Sequence, residues 1–145
     1  MLVIASDHGG FALKQELMEH LRKRGVEFED IGSHTPDSCD YPIYAEQAAR
    51  GVAQGIYEKG ILLCGTGIGM SLAANKIKGI RCALVSDCVS AEMCRAHNDA
   101  NMIAMGGRVI GPELAKRMVD LFLDTPFMGG RHARRVDLIR ALEEK

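Results

Sequence analysis

The stretch from Gly60 to Lys76 limits the folds open to this chain more than any other segment. Ile61, Leu62 and Leu63 form a short apolar run, the pattern of a strand buried on both faces. Cys64 ends the run, Gly65, Thr66, Gly67 and Gly69 follow, and Met70, Leu72, Ala73 and Ala74 open a helix. A strand that breaks into glycines and re-enters a helix turns several backbone N–H groups toward whatever lies beyond its end. Such groups, with a helix dipole behind them, favour an anion or a carbonyl oxygen becoming one. A thiol on the same loop is easier to ionise than a free cysteine. The loop is therefore read as holding a developing oxyanion and supplying a reactive sulfur.

The rest of the chain alternates short strands with helices. Strands are expected over residues 2–6, 26–31, the Ile61 run, 81–86 and 102–105. The second alternates apolar and acidic residues, as at a sheet edge. A helix over about 10–24 carries Leu13, Leu17, Met18 and Leu21 on one face and ends at Gly25. A polar loop over 32–42 leads to a small-residue helix through Ala45, Ala48, Ala49, Val52, Ala53 and Ile56. A short helix spans 91–96. Pro112 opens a helix with Leu114, Met118, Leu121 and Phe122 as its buried stripe. A last helix, about 131–144, has Val136, Ile139 and Leu142 as its apolar side. Parallel neighbours need crossover connections, so the pattern predicts an α/β fold. The expected architecture is a single three-layer α/β/α domain over 1–145, with a five-stranded parallel Rossmann-like sheet and an extra C-terminal helix.

Composition narrows the function. A net charge of -1 gives no support for nucleic-acid or membrane-surface binding, and no apolar run approaches a membrane span. Five cysteines are an odd number without a C-x-x-C pair, which argues for reduced thiols in a cytoplasmic protein and against disulfides or zinc. Cys82, Cys88 and Cys94 read as apolar filler and Cys39 as an ordinary exposed thiol. Only Cys64 has a setting that points to chemistry.

Ligands of parallel sheets bind beyond the carboxyl ends of the strands. Asp7 and His8 follow the first strand, Asp87 the fourth, and Gly106, Gly107 and Arg108 the fifth; His97 and Asn98 end the helix between the last two. These polar groups are candidates to converge on one crevice. Asp7 and Asp87 also read as helix N-caps, which for Asp87 is the favoured reading, and His97–Asn98 reads equally well as a plain helix terminus. Arg131 and Arg135 share a helix face, which is either a solvated basic face or a bidentate phosphate clamp. His20 and His34 read as surface residues, and nothing in the pattern gives His132 a role. The glycine loop has neither the dinucleotide-binding spacing nor a following Gly-Lys-Ser/Thr. Met70 stands where a phosphatase-type loop would need an arginine.

The segments Ser6 to Gly10, Cys64 to Gly69, Ala73 to Lys76, His97–Asn98 and Gly130 to His132 together resemble the type B ribose-5-phosphate isomerases, in the same order along essentially the whole chain. That wider family includes allose-6-phosphate isomerases and the subunits of galactose-6-phosphate isomerase. The resemblance implies a metal-independent, cofactor-free aldose–ketose isomerase of a sugar phosphate. It also implies a homodimer or homotetramer with active sites at the subunit interface. Cys64 resembles the family's base and His97 its ring-opening acid/base. Asp7, His8, Gly65, Thr66, Gly67, Ile68, Gly69, Asn98, Arg108, Arg131 and Arg135 resemble substrate contacts. One branch of the family uses a glutamate at the position of Met70, which methionine cannot imitate, leaving Cys64 as the base. Tyr41 lies in a similarly family-like segment.

The chemistry suits these groups. A histidine titrating near neutrality can open a furanose, and a thiolate can then move the proton between C2 and C1 through an enediolate. Making half of a free thiol ionise at pH 7 takes about 2 kcal/mol. A helix N-terminus supplies about 0.3–1 kcal/mol when exposed and up to ~2 when partly buried, so the dipole alone is marginal. The larger share is expected from N–H groups, with the Thr66 hydroxyl as partner and catalytic aid, aimed at the enediolate oxygen. The alternatives are a six-carbon 6-phosphate substrate and a non-catalytic sugar-phosphate or nucleotide sensor, which would need no thiol.

Overall fold

The computed structural model describes residues 1–145. Its strands are β1 (Leu2–Ser6), β2 (Phe28–Asp30), β3 (Lys59–Cys64), β4 (Cys82–Leu84) and β5 (Met102–Gly106). They form one parallel sheet in the order β2-β1-β3-β5-β4. The Ile61 run is therefore the central strand, and Ile61, Leu62 and Leu63 are fully buried between helical layers. Six helices accompany the sheet: α1 (Phe11–Arg24), α2 (Tyr41–Ala53), α3 (Ile68–Ala74), α4 (Cys88–Ala96), α5 (Pro112–Asp124) and α6 (Arg131–Leu142). The architecture is the expected Rossmann-like α/β/α arrangement.

Alternation along the strands divides the core. Leu2, Ile4, Ile61, Leu63, Ile103 and Met105 face the layer of α1, α4 and α5. Val3, Ala5, Leu62, Cys64, Met102 and Ala104 face α2 and α3. The alanines of α2 let that helix lie close to the sheet: Ala45, Ala48 and Ala49 are fully buried. Gly25 ends α1 in the left-handed region at φ 71°, its N–H returning to the carbonyls of Leu21 and Arg22.

Several elements differ in extent from the sequence reading. β2 and β4 keep only three residues each, because each borders the sheet with one neighbour. α2 begins at Tyr41, since Pro42 is suited to a first helical turn. On α5 the fully buried stripe is Ala115, Met118, Val119 and Phe122, while Leu114 and Leu121 pack at its margins. On α6 only Val136 is buried; Ile139 and Leu142 are 43% and 63% exposed, beside an exposed Leu138. Cys82 and Cys94 are buried filler as expected, and burial pushes their thiols up to about 12 and about 11. Cys39, expected to be exposed, is half-buried. His20 is also half-buried, its Nε2 2.7 Å from Asp120.

Two polar devices fix the sheet's surroundings. On β4, the Asn75 side chain accepts from the Cys82 N–H at 2.8 Å and donates to the Cys82 carbonyl at 2.9 Å. It occupies a backbone donor and acceptor that point away from β5. On α1, Lys14 is fully buried, and its ammonium donates to Asp30 at 2.7 Å and to the Ser33 carbonyl at 2.5 Å. It ties the start of the 31–40 loop to the sheet.

Removing one partner from such a buried pair leaves the other unsatisfied. Lys14→Ala is expected to lower unfolding stability by about 3 kcal/mol in urea titrations. A loss below about 1 kcal/mol would mean that Asp30 and Ser33 find water instead.

Candidate active site

The carboxyl ends of β1, β3 and β5 lie side by side, and the loops leaving them are tied together. Gly107 N–H donates to the Cys64 carbonyl at 2.8 Å, Arg108 N–H to the Gly65 carbonyl at 3.0 Å, and Asp7 N–H to the Leu63 carbonyl at 3.1 Å. Glycine is required at the closest approaches. A Cβ on Gly10 would meet the Leu63 carbonyl carbon at 2.5 Å. Gly67 adopts φ 83°, and a Cβ there would stand 2.9 Å from the Met105 backbone. The strand ends therefore enclose a crevice of about 420 Å³ lined by Asp7, Tyr41, Cys64, Gly65, Thr66, Ile68, Gly69, Leu72 and Arg108.

Cys64 sits on the floor of this crevice, 5% exposed, with its Sγ accepting the Gly67 N–H at 3.0 Å. That bond strengthens when the sulfur carries negative charge. The Gly65 and Thr66 N–H groups donate to no protein atom, and the Thr66 hydroxyl accepts from Ile68 N–H, which leaves its own proton free to donate. α3 is only seven residues long, so the loop's preference for an anion rests on these N–H groups more than on a long helix dipole. Asp7 is an N-cap as the plain reading had it, one oxygen accepting from Gly9 and Gly10 N–H at 2.8 and 3.2 Å. Its second oxygen remains for a ligand. His8 Nδ1 accepts the Cys39 N–H at 3.3 Å, which puts the proton of the neutral ring on Nε2. Arg108 folds over Gly65 at the crevice edge, and the Tyr41 ring packs against Gly69. Asp87 caps α4 through Ser90 N–H, and that bond holds its carboxyl below the usual carboxylate range.

The remaining candidates are elsewhere. α4 follows β4 and carries the chain back toward the amino ends of the strands, about 13 Å over its nine residues. His97 and Asn98 therefore lie at the opposite end of the sheet from Cys64, so one chain does not gather all the strand-end candidates into one crevice. α6 begins beside them. Arg131 and Arg135 are exposed there and donate to no protein group. His132 is 7% exposed, and its ring stacks on that of His97 with centroids 4.1 Å apart. Burial first, then His97, Arg131 and Arg135, hold the His132 imidazole below the usual histidine range. The sequence offered no sign of this pairing, which depends on where α6 docks against α4. The histidine pair and the thiol crevice thus lie apart within one chain.

The fold and the strand-end loop define a Rossmann-like α/β protein with a crevice that has free backbone N–H groups and a thiol at its floor. The family model described as Ribose/Galactose Isomerase matches residues 2–139, and the chain belongs to that family. It is 49% identical to ribose-5-phosphate isomerase B of Escherichia coli over 99% of this chain and 97% of that protein. Among solved structures, ribose-5-phosphate isomerase B of Clostridium thermocellum superposes with a TM-score of 0.97 at 48% identity, over 99% of this chain and 97% of that one. The enzyme of Mycoplasma genitalium with bound ribulose-5-phosphate does so with a TM-score of 0.95 at 39% identity, over 99% and 96%.

His132 gives the fold a definite acid sensitivity. Its folded pKa lies below the unfolded value, so the unfolded chain binds the proton first and stability falls as pH drops through about 6.5. His132→Phe is expected to lose less stability than the unmodified protein between pH 7 and 5, read from denaturation midpoints at each pH. Equal losses would remove His132 as a source of the acid sensitivity.

Proposed function

We propose that this protein interconverts ribose 5-phosphate and ribulose 5-phosphate, with Cys64 as the proton-transfer base and His97 as the ring-opening acid/base. The observation that carries the reading is the Cys64 sulfur, open to the strand-end crevice, bonded by Gly67 N–H, with unpartnered N–H groups beside it. The similarity to ribose-5-phosphate isomerases over nearly the full chain supports the substrate.

Ring opening comes first. The bond from C1 to the ring oxygen breaks, the electron pair goes to that oxygen, and the oxygen takes a proton from His97. His97, having given up its proton, takes that of the anomeric hydroxyl, whose oxygen becomes the aldehyde carbonyl. The Cys64 thiolate then takes the C2 proton, and the charge that appears on O1 is met by the Gly65 and Thr66 N–H groups and the Thr66 hydroxyl. The O2 proton then passes to O1, and the Cys64 thiol returns its proton to C1, which gives the ketose and restores the thiolate. No electrons leave the sugar, and none of these steps calls on a metal or cofactor. The Asp7 oxygen left free takes a sugar hydroxyl. Arg108 and the His8 Nε2–H, with Arg131 and Arg135, hold the phosphate, so binding energy at the remote end orients the reacting carbons.

Because one chain separates Cys64 from His97, Asn98, Arg131 and Arg135, the working site joins the crevice of one copy to the histidine end of another. Exposed Ile68, Leu72 and Leu84 stand at or beside the crevice, an apolar surface suited to a second copy. The assembly is a homodimer or a pair of such dimers, in a cytoplasmic protein whose thiols stay reduced.

Cys64→Ala is expected to abolish isomerisation, with a fall in kcat of at least about 10³-fold, while ribose 5-phosphate still binds. Retained turnover would refute the base assignment. Comparing kcat/KM on ribose, allose and galactose phosphates tests the sugar. Binding without turnover of any of them would favour a sensor.

Mixing subunits tests the shared site. Cys64→Ala and His97→Asn are each inactive alone, but co-expressed and randomly paired they should recover about a quarter of wild-type activity, from the one intact site in each mixed dimer. No recovery would mean that both groups act from the same chain.

A further inference from the structure

The acid–base histidine of the isomerase reading does not stand alone. His97 closes α4 and sits where the chain leaves that helix, a position with little to fix the rotation of its ring. Against it lies His132, in the first turn of α6, with planes 7° apart and centroids 4.1 Å apart. His97 is half-buried whereas His132 is almost wholly enclosed, so the outer ring of the pair is the one a ligand can reach. The stack is also held from the chain preceding α6, where Met128 N–H donates to the Ala96 carbonyl at 3.0 Å, one residue before His97.

We propose that His132 is a positioning residue for ring opening: its buried ring, stacked on His97, fixes the plane in which the His97 imidazole exchanges protons with the sugar. The proposal rests on the isomerase reading and adds to it a residue that touches neither sugar nor phosphate. Parallel contact between the two rings lets His97 slide but hinders tilting out of its plane, so both of its nitrogens stay in one plane. Two rings this close cannot both be charged without strong repulsion, and the cations facing His132 add to it: His97 from α4, and Arg131 and Arg135 from its own helix. The buried ring stays neutral, and the accessible one takes up and gives back the proton. A neutral aromatic ring at residue 132 would do the same work, which separates orientation from proton transfer by His132 itself.

Ribulose 5-phosphate is open-chain, so exchange of its C1 hydrogen with solvent deuterium reports the Cys64 step without the ring step. Forward conversion of cyclic ribose 5-phosphate requires both. His132→Leu and His132→Asn are expected to lower forward kcat about tenfold or more, with C1 exchange and KM within about twofold of wild type. His132→Phe is expected to restore forward kcat to within about threefold, because the stack is kept. An unchanged forward rate in Leu and Asn variants, a parallel fall in exchange, or a Phe variant as slow as Leu would each overturn the proposal. The Asn and Phe variants carry the test if Leu does not fold. Absence of both exchange and conversion in the unmodified protein would overturn the isomerase reading itself, together with this proposal. Any contrary pattern confined to the variants overturns this proposal alone.

Discussion

A parallel sheet obliges every strand to be succeeded by a segment that takes the chain back to where the strand began. That constraint sorts this protein's polar groups. Residues that leave β1, β3 and β5 directly lie at the carboxyl ends of the strands: Asp7, the Cys64 loop and Arg108. Residues that end a returning helix lie at the other end, as His97 and Asn98 do. No rotamer spans that separation. The isomerase reading therefore carries assembly as a requirement, because the acid–base and phosphate-binding groups are usable at the crevice only when a neighbour presents them.

The crevice depends on close backbone packing. Gly10, Gly67 and Gly106 stand where adjoining strand-end loops leave no room for a Cβ. The result is a floor whose N–H groups are fixed in place before any ligand arrives, which is the condition under which hydrogen bonds stabilise developing charge most effectively. In the isomerase reading, the Gly67 N–H bond to sulfur and the free donors at Gly65 and Thr66 divide the loop's work, one part serving the thiolate and the other the sugar oxygen.

The central strand and its loop were legible because their signals are local. An apolar run ending in glycines admits few alternatives, and Gly25 marks the end of α1 equally plainly. Tyr41–Pro42 could have marked the start of α2, since proline in a first turn is a known preference, yet the polar residues around it read as loop. Lys14 was not legible at all. A lysine beside a leucine stripe reads as solvated, and only the approach of Asp30 and Ser33 makes its burial sustainable. His132 was obscured in the same way, since helical spacing says nothing about which ring from another helix it will meet. On α6 the apolar spacing was visible, but Ile139 and Leu142 are not spent on this chain's own core.

The short edge strand β4 bears on how copies of this protein can meet. An unpaired strand border is ordinarily a template for another chain's backbone. Here a carboxamide imitates the missing neighbour, satisfying the outward donor and acceptor of Cys82 with a side chain that cannot propagate a ladder. Continuous sheets running from one molecule into the next are thereby discouraged along this border. Any contact between copies along this border is left to side chains, whose shape and charge, unlike a backbone ladder, accept few partners.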